Sequence, residues 1–453
     1  MRCAAAALAG ALLLLASPAR AGDDDIDRIP PLSDDKPADA APDANRVVYV
    51  QDDLSIYARR STLAVPLPPS RSRSWEERLF ADARLTFPLG NAVSLVYSGR
   101  LNLRAADDLA FPSHQNIRHD LREAYVAWQA GDGAFVEFGR INLKSGVALG
   151  FNPTDYFKTG AVVEPLSADP SVLREDRLGT LMLLAQKVWD GGAVTFALAP
   201  KLQRAAAIGA PLPSFDPLFD RTNGQTRVLL KASMTLFDDV SPEILVYNEA
   251  GRTSFGLNLT RAFGQSLVGY LEWSGGSRAS LVQDALAFGA LPPVIPQDPS
   301  RAFRNDVALG ASYAAPFQAT FNLEYHYHQA GFSGADWRNW FDAGVAHAAD
   351  PAVTGALWSI RGYASDRQEP LARSSLFFRA AFQDAFVPDL ALTGFAETDL
   401  RDGSGIAQVA ADYDLSRNWA AGALVDATFG GGRSDFGSLP GALSVLARVS
   451  RYF

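Results

Sequence analysis

Apolar and polar residues alternate with a period of two along most of this chain. Val93, Leu95, Tyr97, Leu101 and Leu103 are interleaved with Ser94, Ser98, Arg100, Asn102 and Arg104. The same pattern runs through Phe321, Leu323, Tyr325 and Tyr327 against Asn322, Glu324, His326 and His328, and through Ala421, Ala423, Val425 and Ala427 against Gly422, Asp426 and Thr428. Period two is the signature of a strand with one apolar and one polar face. About eighteen such segments follow one another, each of about 9–13 residues, the length a tilted strand needs to cross a bilayer core. They begin near residues 50, 76, 93, 120, 134, 179, 193, 226, 241, 253, 265, 302, 318, 373, 388, 404, 418 and 442. No window after Ala21 holds 18 consecutive apolar residues, so membrane-crossing helices are excluded.

The connections decide how these strands are arranged. Every second link is a tight turn: Pro88-Leu89-Gly90-Asn91, Ala130-Gly131-Asp132-Gly133, Asp190-Gly191-Gly192, Asp238-Asp239, Gly264-Gln265, Ala315-Pro316, Pro388-Asp389 and Leu415-Ser416-Arg417. The other links include long ones, at 61–74, 105–118, 143–178, 202–224, 276–301 and 329–372. Short turns at one end and long loops at the other are the asymmetry of bacterial outer-membrane barrels. Aromatic residues flank the short turns: Phe87, Trp128, Phe135, Trp189, Phe237, Phe263, Phe317, Phe386 and Trp419. Their recurrence predicts an interfacial girdle. Hydrocarbon leaves no partner for an open sheet edge, so the first strand is expected to pair with the eighteenth. The expected fold is therefore all-β: a closed antiparallel transmembrane β-barrel of about 18 strands, spanning 46–453, with short periplasmic turns and long outer loops.

The ends of the chain agree with this reading. Met1 and Arg2 precede an apolar run from Ala4 to Ala16, and Ala19-Arg20-Ala21 stands before Gly22. This is the layout of a secretory signal peptide, cleaved after Ala21. Residues 22–45, rich in Asp, Pro and Ala, read as a disordered acidic periplasmic leader. The single cysteine, Cys3, lies within the signal segment, so the exported part carries no disulfide. Loss of Arg2 and Arg20 with that segment takes the net charge from −9 to −11, which disfavours nucleic acid as a partner. The chain ends in Arg451-Tyr452-Phe453. A terminal strand ending in Phe resembles the C-terminal strand of outer-membrane barrels, which the barrel-assembly machinery reads through that Phe. Arg451 stands where an apolar residue is usual and is expected to snorkel towards headgroups. Outer-membrane lipid and lipopolysaccharide are the expected surroundings.

A barrel of 16–18 strands is wide enough for an aqueous lumen. The polar faces supply its candidate lining. Arg84, Arg100, Arg104, Arg227, Lys231 and Arg379 are basic, and Glu243, Glu272, Glu324, Glu397 and Asp426 are acidic. On the fourth segment Glu123 is read as inward. Over all inward positions the two signs nearly balance, but they segregate. Segments 2, 3, 8, 14 and 18 lean basic, whereas 9, 11, 13 and 15 to 17 lean acidic, which predicts a field across the lumen. Arg140 and Lys144 are further candidates for a constriction if the long loop after the fifth segment folds inward. Glu137 and Arg140 cannot both point inward without a bulge. Within loop 329–372, residues 335–347 and 351–363 have the spacing of two short amphipathic helices broken at Asp350-Pro351, capping the mouth or folding in as a gate.

The run Gly139-Arg140-Ile141-Asn142-Leu143-Lys144-Ser145-Gly146, followed by Gly150-Phe151-Asn152-Pro153-Thr154-Asp155, resembles channel-forming barrels of the alginate-export type. That resemblance implies eighteen strands and a strongly basic lumen for a polyanion. The near-neutral lumen here departs from it. An enzyme is not expected: no Gly-x-Ser-x-Gly elbow is present, and of the five histidines only His326 and His328 share a strand face. An energy-coupled receptor would require a plug domain ahead of the barrel, and only about 25 residues of exported chain precede the first segment. The expected function is a porin-like outer-membrane channel for passive passage of polar small molecules or oligosaccharides, with no cofactor and no metal. The alternatives are a polysaccharide exporter and a closed structural or adhesion barrel whose loops bind a surface partner.

Overall fold

A computed structural model describes residues 45–67, 73–110, 113–235, 240–296 and 298–453. The signal peptide, nearly all of the acidic leader, Phe237 and the Asp238-Asp239 turn lie outside the described residues. The strands are β1 Arg46–Arg59, β2 Trp75–Pro88, β3 Val93–Ala106, β4 Ile117–Gly131, β5 Ala134–Ile141 and β6 Thr180–Trp189. They continue as β7 Gly192–Ala199, β8 Arg227–Met234, β9 Val240–Glu249, β10 Arg252–Phe263, β11 Leu267–Arg278 and β12 Ala302–Ala315. The last six are β13 Ala319–His328, β14 Ser374–Phe382, β15 Leu390–Asp399, β16 Gly405–Ser416, β17 Trp419–Phe429 and β18 Gly441–Tyr452. Each pairs antiparallel with its sequence neighbours. β1 also pairs with β18 from Tyr49↔Tyr452 to Arg59↔Gly441, which closes the 18-stranded sheet. The backbone N–H of Phe453 donates to Val48 O at 3.0 Å and extends that seam.

The two faces of the sheet are the reverse of a water-soluble protein. Leu54, Ile56, Leu101, Phe138, Leu230, Ile244, Leu309, Leu323, Val409 and Val425 are exposed on the outside. Asp53, Arg100, Asn102, Glu272, Glu324 and Gln408 are buried within. An outer apolar surface on this scale is stable only in hydrocarbon. The aromatics at the short-turn end that lie in described residues are all exposed: Phe87, Trp128, Phe135, Trp189, Phe263, Phe317, Phe386 and Trp419. Arg451 is held there as well, its guanidinium 5.5 Å from the Trp419 ring centre and 4.9 Å from that of Phe453. Cation–π contact offsets the apolar residue missing at this position.

The turn expected at Pro388-Asp389 is longer than two residues. β14 ends at Phe382 and β15 begins at Leu390. Asp384, Phe386 and Asp389 all adopt positive φ between them. Pro388 has no N–H to give a ladder, so the strand starts only beyond it.

Among the described residues, five α-helices occupy the connections at the opposite end or the interior: α1 Pro170–Asp176, α2 Phe219–Thr222, α3 Leu281–Phe288, α4 Gly334–Ala346 and α5 Pro351–Asp366. α4 and α5 fall where the helical spacing placed them. Ser333 and Asp336 form a capping box on α4, and Asp350 caps α5 with Pro351 in its first turn. α3 lies in the long connection 276–301. Its N-cap is Ser280, whose side chain accepts from Gln283 N. Trp337, Trp340, Phe341, Leu357 and Ile360 pack with Leu281, Val282 and Leu286 of α3 and with Val65 of the β1–β2 loop. These helices form a cap with its own apolar core.

Polar seams join that cap to neighbouring loops. Arg361 pairs with Asp435 of the β17–β18 loop at 2.8 Å, and Trp358 Nε1 donates to Pro66 O at 3.0 Å. Arg221 of α2 pairs with Asp366. The cap therefore touches connections from several sides of the barrel mouth.

Candidate functional site

The 38-residue connection between Ile141 and Thr180 does not project outward. It folds into the barrel and is fastened to charged side chains on both walls. Its start is set at Gly139, which has φ +140° and whose missing Cβ leaves room for Ala124 O and Tyr125. The unusual backbone there lets Phe138 stay exposed while Arg140, at 1% exposure, is enclosed. This resolves the parity conflict between Glu137 and Arg140.

On the acidic wall, Glu272 of β11 receives the loop. Its Oε2 accepts from the backbone N–H groups of Val147 and Ala148 at 2.9 and 3.1 Å. Its Oε1 accepts from Thr154 N at 2.7 Å and Thr154 Oγ1 at 2.9 Å. Gly146 makes this approach possible. It has φ +90°, and a Cβ there would stand 2.5 Å from Glu272 Oε1. Two strands away, Glu324 of β13 accepts from Leu149 N at 2.7 Å and Gly150 N at 2.9 Å. It also accepts from Tyr270 Oη at 2.6 Å and pairs with His326 Nε2 at 2.7 Å. Consecutive backbone N–H groups wrapped round a carboxylate make charge-assisted bonds, about twice as strong as neutral ones.

On the basic wall the polarity of the contact is reversed, and the loop supplies the carboxylates. Glu164 meets Arg104 of β3 at 2.6 Å and also pairs with Arg118 of β4. Asp176, at the end of α1, meets Arg100 of β3 and Arg122 of β4, both at 3.0 Å. Burial works to raise both carboxyls. The guanidinium groups of Arg118 and Arg104 overcome it for Glu164, and those of Arg100 and Arg122 for Asp176, holding each below the usual carboxylate range. Between the walls, Ser167 Oγ and Ala168 N donate to Gln408 Oε1 of β16 at 2.9 and 2.8 Å. Asp169 pairs with Arg379 of β14 at 3.0 Å.

The candidate lining residues thus divide into several environments. Arg100, Arg104, Glu272, Glu324 and Arg379 hold the inserted loop. Lys231 and Glu243 pair with each other at 3.0 Å on adjacent strands. Glu397 accepts from Ser375 Oγ at 2.9 Å, and Asp426 from Ser444 Oγ at 2.9 Å. Arg84 lies on the inner face with Asp82 and is exposed. Arg140 donates from Nε to Gly179 O at 2.9 Å and from Nη1 to Pro217 O, in a packed seam. Lys144 pairs with Glu175 within the loop, and Arg227 donates to Thr222 O and Thr180 Oγ1. Arg140 and Arg227 therefore sit where loops are packed onto the wall.

Sequence reasoning missed Arg118, Asp120 and Arg122 on β4. The register of β3 and β4 shifts between Ser98 and Gly99, so Arg122 is the extra residue of a bulge. Counting parity backwards from Glu123 places these three on the wrong face. Glu123 itself accepts from Asn142 N at 3.1 Å. Glu164 and Asp176 carry no local signal, since their partners are 46 to 76 residues away in sequence. Among the described residues, no group of three or more His, Cys, Asp or Glu is placed to hold a metal ion.

No family model and no curated protein matches the chain. Solved structures do match in fold. The Pseudomonas aeruginosa protein OccK8 (OprE) superposes with a TM-score of 0.52 at 10% identity, over 90% of this chain and 97% of that one. OpdQ of the same organism gives 0.52 at 10% identity, over 90% and 98%. OccK11 (OpdR) gives 0.50 at 10%, over 90% and 95%. What the chain shares with these proteins is the fold, a closed antiparallel barrel of eighteen strands, here narrowed from within by the loop after its fifth strand.

Proposed function

We propose that this chain is a passive outer-membrane channel for polar small molecules or oligosaccharides. The observation that carries the reading is the inserted connection 142–179, tied across the lumen to Glu272 and Glu324 on one wall and to four arginines on the other. A wide barrel would pass solutes with little discrimination. A segment held at mid-lumen by buried charged contacts sets a size limit and gives it a mixed-charge lining. In this reading the chain is exported with its signal peptide removed after Ala21, and residues 22–45 remain periplasmic. Phe453 presents the last strand to the barrel-assembly machinery, and lipopolysaccharide surrounds the outer rim. Polysaccharide export, which the loop resemblance to alginate-type barrels implies, is the less favoured use. The basic residues that a polyanion needs are here engaged by Glu164, Asp176 and Asp169.

The experiment is solute-driven swelling of liposomes carrying the folded protein. Monosaccharides are expected to enter clearly faster than disaccharides, and both faster than into empty vesicles. Swelling no faster than in empty vesicles for every solute counts against a channel. A closed barrel is the second reading, and it is favoured by one observation: the α3–α4–α5 cap, which joins loops from several sides of the mouth through Arg361–Asp435 and Arg221–Asp366.

A further inference from the structure

Beneath the cap, a cleft of roughly 120 Å³ lies between the inserted loop, the inner wall of β9 to β12, and cap-side residues Tyr363, Arg367 and Glu369. Half of its charged groups are already engaged. Asp155 pairs with Arg177 at 2.7 Å, Asp306 with His328 at 2.8 Å, and Glu369 with Arg278 at 2.8 Å and Arg367 at 3.3 Å. Four others are not. Lys158 is 9% exposed, and its Nζ donates to Asn152 O at 2.7 Å and lies 4.7 Å from the Phe151 ring centre. It has no carboxylate within ion-pair distance among the described residues, and burial pulls its pKa down. Arg304 donates from Nε to Arg278 O at 3.3 Å, and its terminal nitrogens make no ion pair with a described residue. Glu249 and Asp284 also line the cleft and make no ion pair with a described residue. Arg252, paired in register with Glu249, stands exposed at its rim.

A buried ammonium with spare donors and no carboxylate in direct contact is costly unless something completes its shell. Unpaired charges of both signs, Lys158, Arg304 and the rim's Arg252 against Glu249 and Asp284, thus share one small cleft. A plain anion would meet Glu249 and Asp284, and a plain cation would meet Lys158 and Arg304. A molecule carrying both charges satisfies both sets. We propose that this cleft binds a small zwitterionic solute, its anionic group on Lys158 and Arg304 and its cationic group on Asp284 and Glu249. Because the inserted loop and the cap both line the cleft, such a solute also bridges the two. This inference deepens the channel reading by naming a solute class. The site itself stands whether or not the lumen conducts.

The test is titration calorimetry on the purified, folded full chain, which reads binding without conduction. The probes are the ω-amino acids from glycine to 6-aminohexanoate, with acetate and methylammonium as single-charge controls. The expected result is saturable binding that peaks at one chain length and exceeds either control by about tenfold, the worth of one charged hydrogen bond. Lys158→Gln and Asp284→Asn should each weaken that binding about tenfold, in protein that keeps the heat-modifiable gel mobility of a closed barrel. Acetate binding as tightly as the best amino acid overturns the zwitterion assignment, as does saturable binding that neither variant changes. Absence of saturable binding by every probe overturns the site. Failure of the swelling experiment with binding intact overturns the channel and leaves the site.

Discussion

Replacing Glu272 by Gln should release the middle of the inserted loop while leaving the barrel closed. The carboxylate receives four donors from Val147, Ala148 and Thr154 and is fully buried. A glutamine keeps one carbonyl oxygen, which can serve the amides of Val147 and Ala148, and turns its NH₂ towards Thr154, whose hydroxyl can accept but whose N–H cannot. Two charge-assisted bonds are lost, each worth about 1.5–3 kcal/mol, so the docked state weakens by roughly 3–6 kcal/mol. Every 1.4 kcal/mol is tenfold, which raises the undocked fraction by about two orders of magnitude or more. Hydrogen exchange read by mass spectrometry on a peptide covering 146–154 measures this directly, because the affected amides are themselves the donors. Their exchange should quicken by about that factor, while strand peptides such as 93–104 stay protected. Unchanged protection across 147–154 in a folded Glu272→Gln barrel would refute the anchoring argument.

Other expectations follow from the same contacts. Gly146→Ala should loosen the same segment, since φ +90° disfavours a side chain and its Cβ would meet the Glu272 carboxylate; exchange over 146–154 checks it. Glu164 and Asp176 have lowered pKa values, so their contribution to docking is complete above the ordinary carboxylate range, near about pH 4, and is lost as pH falls through their folded-state values. Loop exchange measured against pH, corrected for intrinsic rates, should show protection dropping only in acid, and a loss between pH 6 and 8 would contradict the assignment. Arg361→Ala strands the buried Asp435 carboxylate and removes a cation resting 5.5 to 5.6 Å from the ring centres of Trp337, Trp340 and Trp358. Breaking a buried pair this way costs about 3–5 kcal/mol, which should appear as weakened protection of α5 with the strands unaffected.

The barrel was legible because membrane strands carry their own record. Alternation in β3, β13 and β17 states which face meets lipid, and the Gly- and Pro-bearing turns mark where each strand stops. The helical spacing of 335–347 and 351–363 and the break at Asp350-Pro351 likewise announce α4 and α5 locally. The interior was less legible. Glu272 and Glu324 were readable as inward and acidic, and Arg100 and Arg104 as inward and basic. Nothing local says that these side chains hold a loop, because their partners are backbone amides and carboxylates far off in the chain. The bulge beside Ser98 hid Arg118 and Arg122 for a related reason: one unpaired residue inverts every later parity in the strand, and its position depends on the neighbouring strand.

The claim that the chain is a narrowed, water-filled channel is tested most directly by single-channel recording of the purified, folded protein in planar bilayers. The account predicts discrete, reproducible current steps whose size scales with salt concentration. It also predicts that in Glu272→Gln, with its constriction loop released, those steps become larger or noisier. Silent bilayers containing protein shown to be inserted and folded would contradict it, and would point instead to a barrel closed by its cap.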